Sequence, residues 1–536
     1  RGFASSSSSV VHFGLSNIEI VDSLEVKWLD GTSNKFYDLD VNQTHNISPQ
    51  YSNLTSEFKK DLDLFELEEI DFKHRENNYL DYEREPLMPE RLSIEGPAYV
   101  SSDFNGDGVK DIFIGGAKLQ SPKLLIQTSE GIFNEVNNLA FSQDSQFEDV
   151  DAAAFDFDQD GDMDIYVMSG GNEYVDGDPN LMDRLYINNG NAVFNKFPAN
   201  LPSTNGGSIS SADFNNDGYP DLFIGSRSIP GGYGLSPISI IVKSTPDTDS
   251  YFEVVAQSPL GMVTDSKYAD INNDGIMDLV VVGDWMPISI LIGEGDNKFS
   301  NQTTNYNLGK SSGFWNTVEV VDINKDGKLD ILAGNSGLNH KWKANEEFPV
   351  KVYLDDFDEN SSLDPIIYYN FFGDPVPFAS RDKLVSSLPY LKKKFLKYND
   401  FVDATDIVSL TDRKDIFETK LVNEMRSMVY IQDQENKFIS QPLPNQLQIS
   451  SIEDFLVDDD KIYYVGNFSG YVSELGPSLS NSGGVLIGFD GYDFIEHKSL
   501  GLPINYEGRH IDKLNNNTLL VIGNNNQAYR LNLDEK

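Results

Sequence analysis

The chain has 536 residues, with 41 Lys plus Arg against 85 Asp plus Glu, no cysteine and a formal charge of −44. That balance argues against a nucleic-acid partner and disfavours adsorption to anionic lipid, while the missing cysteines exclude disulfides, thiolate zinc sites, iron–sulfur clusters and cysteine nucleophiles. A hydrophobic fraction of 39% can supply a core, and no run of about eighteen apolar residues offers a membrane span.

In chain order, the first element is a small β module over residues 1–48. After a serine run at 5–9, apolar and polar residues alternate around an Asp30-Gly31 turn. Residues 49–66 lack a strand period and read as a linker. The chain opens on Arg1 without a signal-peptide pattern, which reads as a mature or trimmed product. The segment LEEIDFKHREN, from Leu67, is the next strand.

A nine-residue pattern, D-x-[DN]-x-[DN]-G-x-x-D, then recurs. It appears as DFNGDGVKD from Asp103, DFDQDGDMD from Asp156, DFNNDGYPD from Asp213, DINNDGIMD from Asp270 and DINKDGKLD from Asp322. A looser copy, DFDENSSLD, starts at Asp356. An apolar β-type run follows each strict copy. The spacing suits Ca²⁺, which takes six to eight oxygens from carboxylates, amides, backbone carbonyls and water. Positions 1, 3, 5 and 9 offer side chains, position 7 its carbonyl, and Gly at position 6 allows a left-handed turn. The expected ligands are Asp103, Asn105, Asp107, Val109 and Asp111; Asp156, Asp158, Asp160, Asp162 and Asp164; Asp213, Asn215, Asp217, Tyr219 and Asp221. They continue with Asp270, Asn272, Asp274, Ile276 and Asp278; Asp322, Asn324, Asp326, Lys328 and Asp330; and Asp356, Asp358, Asn360, Ser362 and Asp364. Five sites are strong and the sixth weaker. A metal-free Asx-turn is the competing reading of each loop.

The loops begin 53, 57, 57, 52 and then 34 residues apart. A period near 55 with strands and turns suits propeller blades. Innermost strands are expected near 98, 150, 207, 265, 317, 451 and 508. In the fifth unit, 350–354 is expected as the third strand, which puts the Asp356 loop in that blade's outer turn and all six loops on one face. The seventh blade lacks an outer strand, and the segment from Leu67 is its expected donor. Leu384, Leu388, Leu391 and Phe395 fall at helical spacing, predicting a helical insertion over about 379–420. Lys392, Lys393, Lys394 and Lys397 form the basic cluster of this segment, read as a solvated helix face or a docking patch.

These residues resemble the FG-GAP/VCBS repeats, the blades of integrin-α-like calcium propellers. HFGL at His12, VDSLEVKWLDG at Val21 and VNQTHNI at Val41 resemble the ASPIC/UnbV module. The resemblance implies calcium, an extracytoplasmic setting at the cell surface or outer membrane or as a secreted protein, and interaction rather than catalysis. In that family the module usually follows an earlier propeller, so the chain is expected to be the C-terminal part of something longer.

The fold class read from the sequence is therefore all-β: a seven-bladed β-propeller over 67–536 with calcium loops on one face, a short helical insertion and a small N-terminal β module. On the opposite face, loops after each second strand are expected to gather Asn172, Arg227, Asp284, Trp285, Asn335, Asn467 and Asn524 around one opening for a glycan or protein ligand. Simple chain turning by Asn and Gly is the alternative reading. Trp315 is expected in the core. The function expected is a surface binding or adhesion module. The alternatives are an accessory subunit of an outer-membrane nutrient-uptake complex and a calcium-dependent polysaccharide lyase or hydrolase. The six scattered histidines form no HExxH and no GxSxG elbow is present, so the chain is read as a non-enzyme.

Overall fold

The computed structural model describes residues 12–16, 18, 20–27, 33–47, 65–128, 132–198, 201–246, 248, 251–489, 491 and 494–533. The chain divides into two compact units, Arg1–Leu62 and Asp63–Lys536. In the first, Ile20–Lys27 pairs antiparallel with Ser33–Asp40, from Ile20 opposite Asp40 to Lys27 opposite Ser33. The Asp30-Gly31 turn and most of the expected linker lie outside the described residues.

The second unit is all-β, built of four-stranded antiparallel meanders. In the first meander the strands are Tyr99–Ser102, Asp111–Ile114, Lys123–Gln127 and Phe133–Val136. The next begin at Asp149–Phe155, Gly206–Ala212, Met262–Ala269 and Gly313–Val321, and later ones at Ile452–Asp458 and Glu507–Asn515. The meanders starting at Met262 and Gly313 are joined into one eight-stranded sheet by pairing of Asp284 with Phe314. Each starting strand packs against the starting strand of the next meander. The circle closes where Tyr99 and Ser101 donate their hydroxyls to Asp512 and His510 meets the Pro97 carbonyl. The last meander takes its outer strand from Glu66–Lys73, antiparallel to Gln527–Asn532. This covers an edge that the C-terminal strand would leave open. The arrangement is propeller-like.

Burial explains why these segments become these strands. Second strands such as Asp111–Ile114, Asp164–Ser169 and Asp278–Met286 are buried along their whole length and read as continuous apolar runs. The core is divided into wedges between successive meanders. Phe104, Phe113, Leu124, Ile165, Val167 and Tyr186 fill one; Ile70, Phe72, Ile112, Leu125, Leu520 and Ile522 fill the one that closes the circle. Trp315 is fully buried in another.

One expectation is overturned. Residues Val350–Asp355 are not the third strand of the meander that starts at Gly313. The partner of Asp330–Asn335 is Met428–Gln432, followed by Phe438–Pro442. Val350–Asp355 belongs to a separate sheet with Asp364–Phe371, Asp374–Pro377 and Glu418–Val422. The 34-residue step arises because this sheet is inserted between two strands of the meander, carrying a copy of the loop with it. Short helices Arg381–Ser387, Leu391–Lys394, Tyr398–Phe401 and Ile407–Thr411 follow its second hairpin. Leu384, Leu388, Leu391 and Phe395 pack together there against Phe357, Ile366 and Tyr368. Lys392 and Lys393 are exposed, and Lys394 pairs with Asp412 at 2.6 Å.

Candidate metal loops and the opposite mouth

All six nine-residue segments fold to one template. The position-1 carboxylate accepts two backbone N–H groups: Asp103 from Asp107 at 3.1 Å and from Gly108 at 2.7 Å. Asp156, Asp213, Asp270, Asp322 and Asp356 accept the equivalent pair. Two left-handed residues make this turn possible, at position 4 (Gly106 φ 76°, Lys325 φ 60°) and position 6 (Gly108 φ 84°, Gly161 φ 96°). Ser361 takes the same conformation at φ 70° without being glycine, which strains its Cβ.

The position-9 aspartate anchors the loop to its sheet. Asp164 accepts the Phe157 N–H on one oxygen and, on the other, the N–H of Asn188, just past the end of the third strand Arg184–Ile187. Asp111, Asp278 and Asp330 are bonded alike. Burial is the main cause that pushes these carboxyls up, Asp111, Asp278 and Asp330 to about 6 and Asp164, Asp221 and Asp364 to about 7, with backbone hydrogen bonds opposing it. Buried carboxylate without a cation is unfavourable, and a bound divalent ion reverses that balance.

The donor set fits a hard cation. Asp156, Asp158 and Asp164, and likewise Asp356, Asp358 and Asp364, bring carboxylate oxygens within 4.8 Å of one another. Asp221 Oδ2 and Asp358 Oδ1 are buried without a hydrogen-bond donor. Asn105, Asn215, Asn272, Asn324 and Asn360 sit at the remaining side-chain positions, and Val109, Asp162, Tyr219, Ile276, Lys328 and Ser362 at position 7. Five loops follow starting strands and share one end of the circle; the Asp356 loop lies in the inserted sheet.

The opposite mouth differs from expectation. Asn172, Arg227, Asp284, Trp285, Asn335, Asn467 and Asn524 are all buried. Residues 74–97 cross this end and take hydrogen bonds from three of them. Asn172 donates to Asp81 and Glu85 at 3.0 Å, Arg227 to Glu95 at 2.8 Å, and Asn524 to the Ile94 carbonyl at 2.8 Å. Arg227 also pairs with Asp284 at 2.7 Å. Trp285 packs with Met88 and Leu92 and donates to Tyr233. Asn335 and Asn467 donate to backbone carbonyls of Glu424 and Tyr506. Sequence reading placed these residues at one end of the circle but assigned them to a ligand. Segment 74–97 takes up the side-chain hydrogen bonds of Asn172, Arg227 and Asn524 through Asp81, Glu85, Glu95 and the Ile94 carbonyl, while Trp285, Asn335 and Asn467 bond to other parts of the fold.

Residues missed in the sequence line the interior. A cavity of about 500 Å³ is bounded by the starting strands, among them Asp151, Asp265, Lys267, Asp454 and His510. Six starting strands break register at equivalent places, as at Asp149/Asp151, Val263/Asp265 and Ile452/Asp454. The carboxylate after each of these three bulges staples the neighbouring strand. Asp151 accepts the Ile209 N–H at 2.8 Å, Asp265 the Val318 N–H at 2.9 Å and Asp454 the Ile511 N–H at 2.9 Å. Their recurrence two or three residues into starting strands was the available signal. Lys267 lies among Asp265, Glu319, Asp454 and Asp151, which hold its ammonium charged.

The FG-GAP-like repeat family matches residues 103–167, 156–224 and 270–333, and the ASPIC and UnbV family matches residues 1–53. No curated protein matches the sequence. Among solved structures, YCF48 from Cyanidioschyzon merolae is 7% identical over 83% of this chain and 98% of its own, with a TM-score of 0.40. A lectin of Agrocybe aegerita, described by its recognition of non-reducing terminal N-acetylglucosamine, is 13% identical over 76% and 81%, with a TM-score of 0.38. The V. cholerae biofilm matrix protein Bap1 is 12% identical over 83% and 88%, with a TM-score of 0.33. At such scores none of these likenesses carries an argument about this chain.

Proposed function

Since this chain is an FG-GAP-like repeat protein with an N-terminal ASPIC and UnbV domain, we propose that residues 67–536 are a seven-bladed, calcium-stabilised β-propeller acting outside the cytoplasm as a binding or adhesion module. Its ligand is a glycan or a protein, and the β module and linker precede it. The observation that carries the reading is the common template of the six loops. Each offers oxygen donors, each is rich in carboxylate, and Asp221 and Asp358 keep buried oxygens without a donor. Calcium loads the five glycine-containing loops firmly and the Asp356 loop less firmly. Among the described residues no helix is long and apolar enough to cross a membrane.

The experiment is binding of the whole chain to a broad glycan array, with millimolar Ca²⁺ and with EDTA in parallel. Calcium-dependent capture of a defined glycan supports a lectin-like module. No capture in either condition removes the glycan reading and leaves a protein ligand. A second reading, an accessory subunit of an outer-membrane uptake complex, is favoured by the inserted subdomain. It exposes Leu396 and Val402, each 72% accessible, beside Lys392, Lys393 and Lys397. Gentle extraction that yields only a free monomer counts against it, and stable co-purification with a transporter supports it. Neither matched family is a typical catalytic one, and new reducing ends or unsaturated products from acidic polysaccharides would restore the lyase or hydrolase reading.

A further inference from the structure

We infer that Asn188 and Gln432 are positioning residues that couple the metal loops in two pairs. Asn188 joins the Asp103 loop to the Asp156 loop, and Gln432 joins the Asp270 loop to the Asp322 loop. The Asp213 loop between the pairs takes its ion independently. The inference rests on the calcium reading above and adds the order in which the metal is taken up.

Each coupling is a continuous line of hydrogen bonds from one position-9 aspartate to the next. In the first pair the Phe104 N–H donates to Asp111 Oδ2 at 3.0 Å. The Phe104 carbonyl accepts the side-chain amide of Asn188 at 2.8 Å, and the Asn188 N–H donates to Asp164 Oδ1 at 2.8 Å. In the second pair the Ile271 N–H donates to Asp278 Oδ2 at 2.9 Å. The Ile271 carbonyl accepts the side-chain amide of Gln432 at 3.1 Å, and the Gln432 N–H donates to Asp330 Oδ1 at 2.8 Å. Phe104 and Ile271 both stand at position 2 of their loops. Asn188, Gln432 and the four aspartates are buried, where hydrogen bonds in series reinforce one another.

The side chain at this one place in each meander decides whether a junction is coupled. Gln127, Ser244 and Gly293 hold the equivalent place, and their N–H groups bond Asp111, Asp221 and Asp278. Ser244 turns its short hydroxyl onto the Pro220 carbonyl of its own loop, and Gly293 has no side chain to extend. Gln127 likewise bonds the Lys110 carbonyl of its own loop. The Asp156 and Asp213 loops meet through Gln159, which donates to the Gly218 carbonyl at 2.8 Å on an exposed surface. Water competes for that bond, so it transmits little. Among the described residues no side-chain hydrogen bond joins the Asp213 loop to the Asp270 loop. A bound ion fixes the position-9 carboxylate of its loop, and the relay carries that restraint to the paired loop. The cost of ordering the shared residues then falls on the first ion, and the second binds more tightly.

Calcium titration of the whole chain, with bound ions counted by native mass spectrometry at each free calcium concentration, tests the pairing. Asp107, Asp217 and Asp274 are exposed position-5 carboxylates, so replacing each by Ala disables one loop and leaves the core intact. Asp107→Ala and Asp274→Ala are each expected to delete one ion and to weaken one other site roughly fivefold or more. Asp217→Ala is expected to delete one ion and leave the other affinities unchanged. Asn188→Ala and Gln432→Ala keep every ligand carboxylate. In the Asn188→Ala background Asp107→Ala should delete its own ion and weaken no other, and Gln432→Ala should do the same for Asp274→Ala. A merely structural role for Asn188 or Gln432 lowers stability and leaves the coupling in place, which overturns the relay. If Asp107→Ala and Asp274→Ala weaken no second site, or weaken all remaining sites alike as shared charge would, the relay is overturned while the calcium reading stands. A wild type that binds no ion overturns both. Should the Asn188 and Gln432 variants not fold, the three loop variants decide between these outcomes.

Discussion

At the scale of single residues, burial and charge oppose each other at the position-9 aspartates. Asp221 holds the Ser244 N–H with one oxygen, while the other is buried without a donor. Asp221→Asn is therefore expected to change stability with opposite signs in two conditions. With excess calcium the melting temperature falls and one fewer ion binds per chain; in EDTA it holds or rises, because a buried charge is gone. Paired melting curves with metal counting check this, and a fall of equal size in both conditions refutes it. His340 is buried against Trp342 and Tyr471, both ring nitrogens lack partners, and burial pushes it down to about 4. Its stabilising contribution is present above its ordinary value of 6.5 and is lost as pH falls towards 4. The melting-temperature advantage of His340→Phe over wild type is expected to widen across that interval. None of this was readable from the sequence, because the motif names the carboxylates but not which oxygen lacks a donor.

At the scale of elements, the loops and their strands were readable and the insertion was not. The D-x-[DN]-x-[DN]-G-x-x-D spacing dictates the turn, since position 1 must cap two N–H groups and positions 4 and 6 must turn left-handed. Where the strands after a loop find their partners is a long-range matter. Val350–Asp355 is as apolar as a blade strand, yet pairs with Asp364–Phe371 and Glu418–Val422. No local pattern distinguishes these choices. The sixth loop lacks the glycine that the other five carry at position 6, so Ser361→Gly is expected to relieve about 0.5–1 kcal/mol of backbone strain. Calcium titration should show it tightening the weakest site by roughly twofold to fivefold. No change in the weakest site would mean that Asn360, rather than Ser361, limits it.

At the scale of the molecule, the −44 charge and the circle's closure govern stability. Under the proposed loading of one Ca²⁺ per loop, six ions would add twelve positive charges and bring the formal charge from −44 to −32. The calcium-free protein is expected to lose stability as pH rises from about 4 towards about 7, because Asp164, Asp221 and Asp364 are lifted to about 7 by burial and ionise there. Calcium binds the ionised form and should reverse that slope, as melting curves across pH with calcium and with EDTA will show. Closure rests on Glu66–Lys73. A chain starting at residue 63 should melt like the full chain, whereas one starting at residue 74 should melt far lower or aggregate through its open edge.

By itself the sequence determined what repeats locally. It set the six acidic loops, the buried runs behind them and the helical spacing within 379–420, because each depends on residues within one turn or one strand; the outer strand Glu66–Lys73 was instead inferred from the edge that the last repeat leaves open. Only the tertiary structure decided the separate sheet around Asp356, the carboxylate staples of Asp151, Asp265 and Asp454, and the occupant of the opposite mouth. Those depend on which distant groups meet. Asn172, Arg227 and Asn524 looked available because their partners at Asp81, Glu95 and Ile94 lie roughly 90 to 430 residues away.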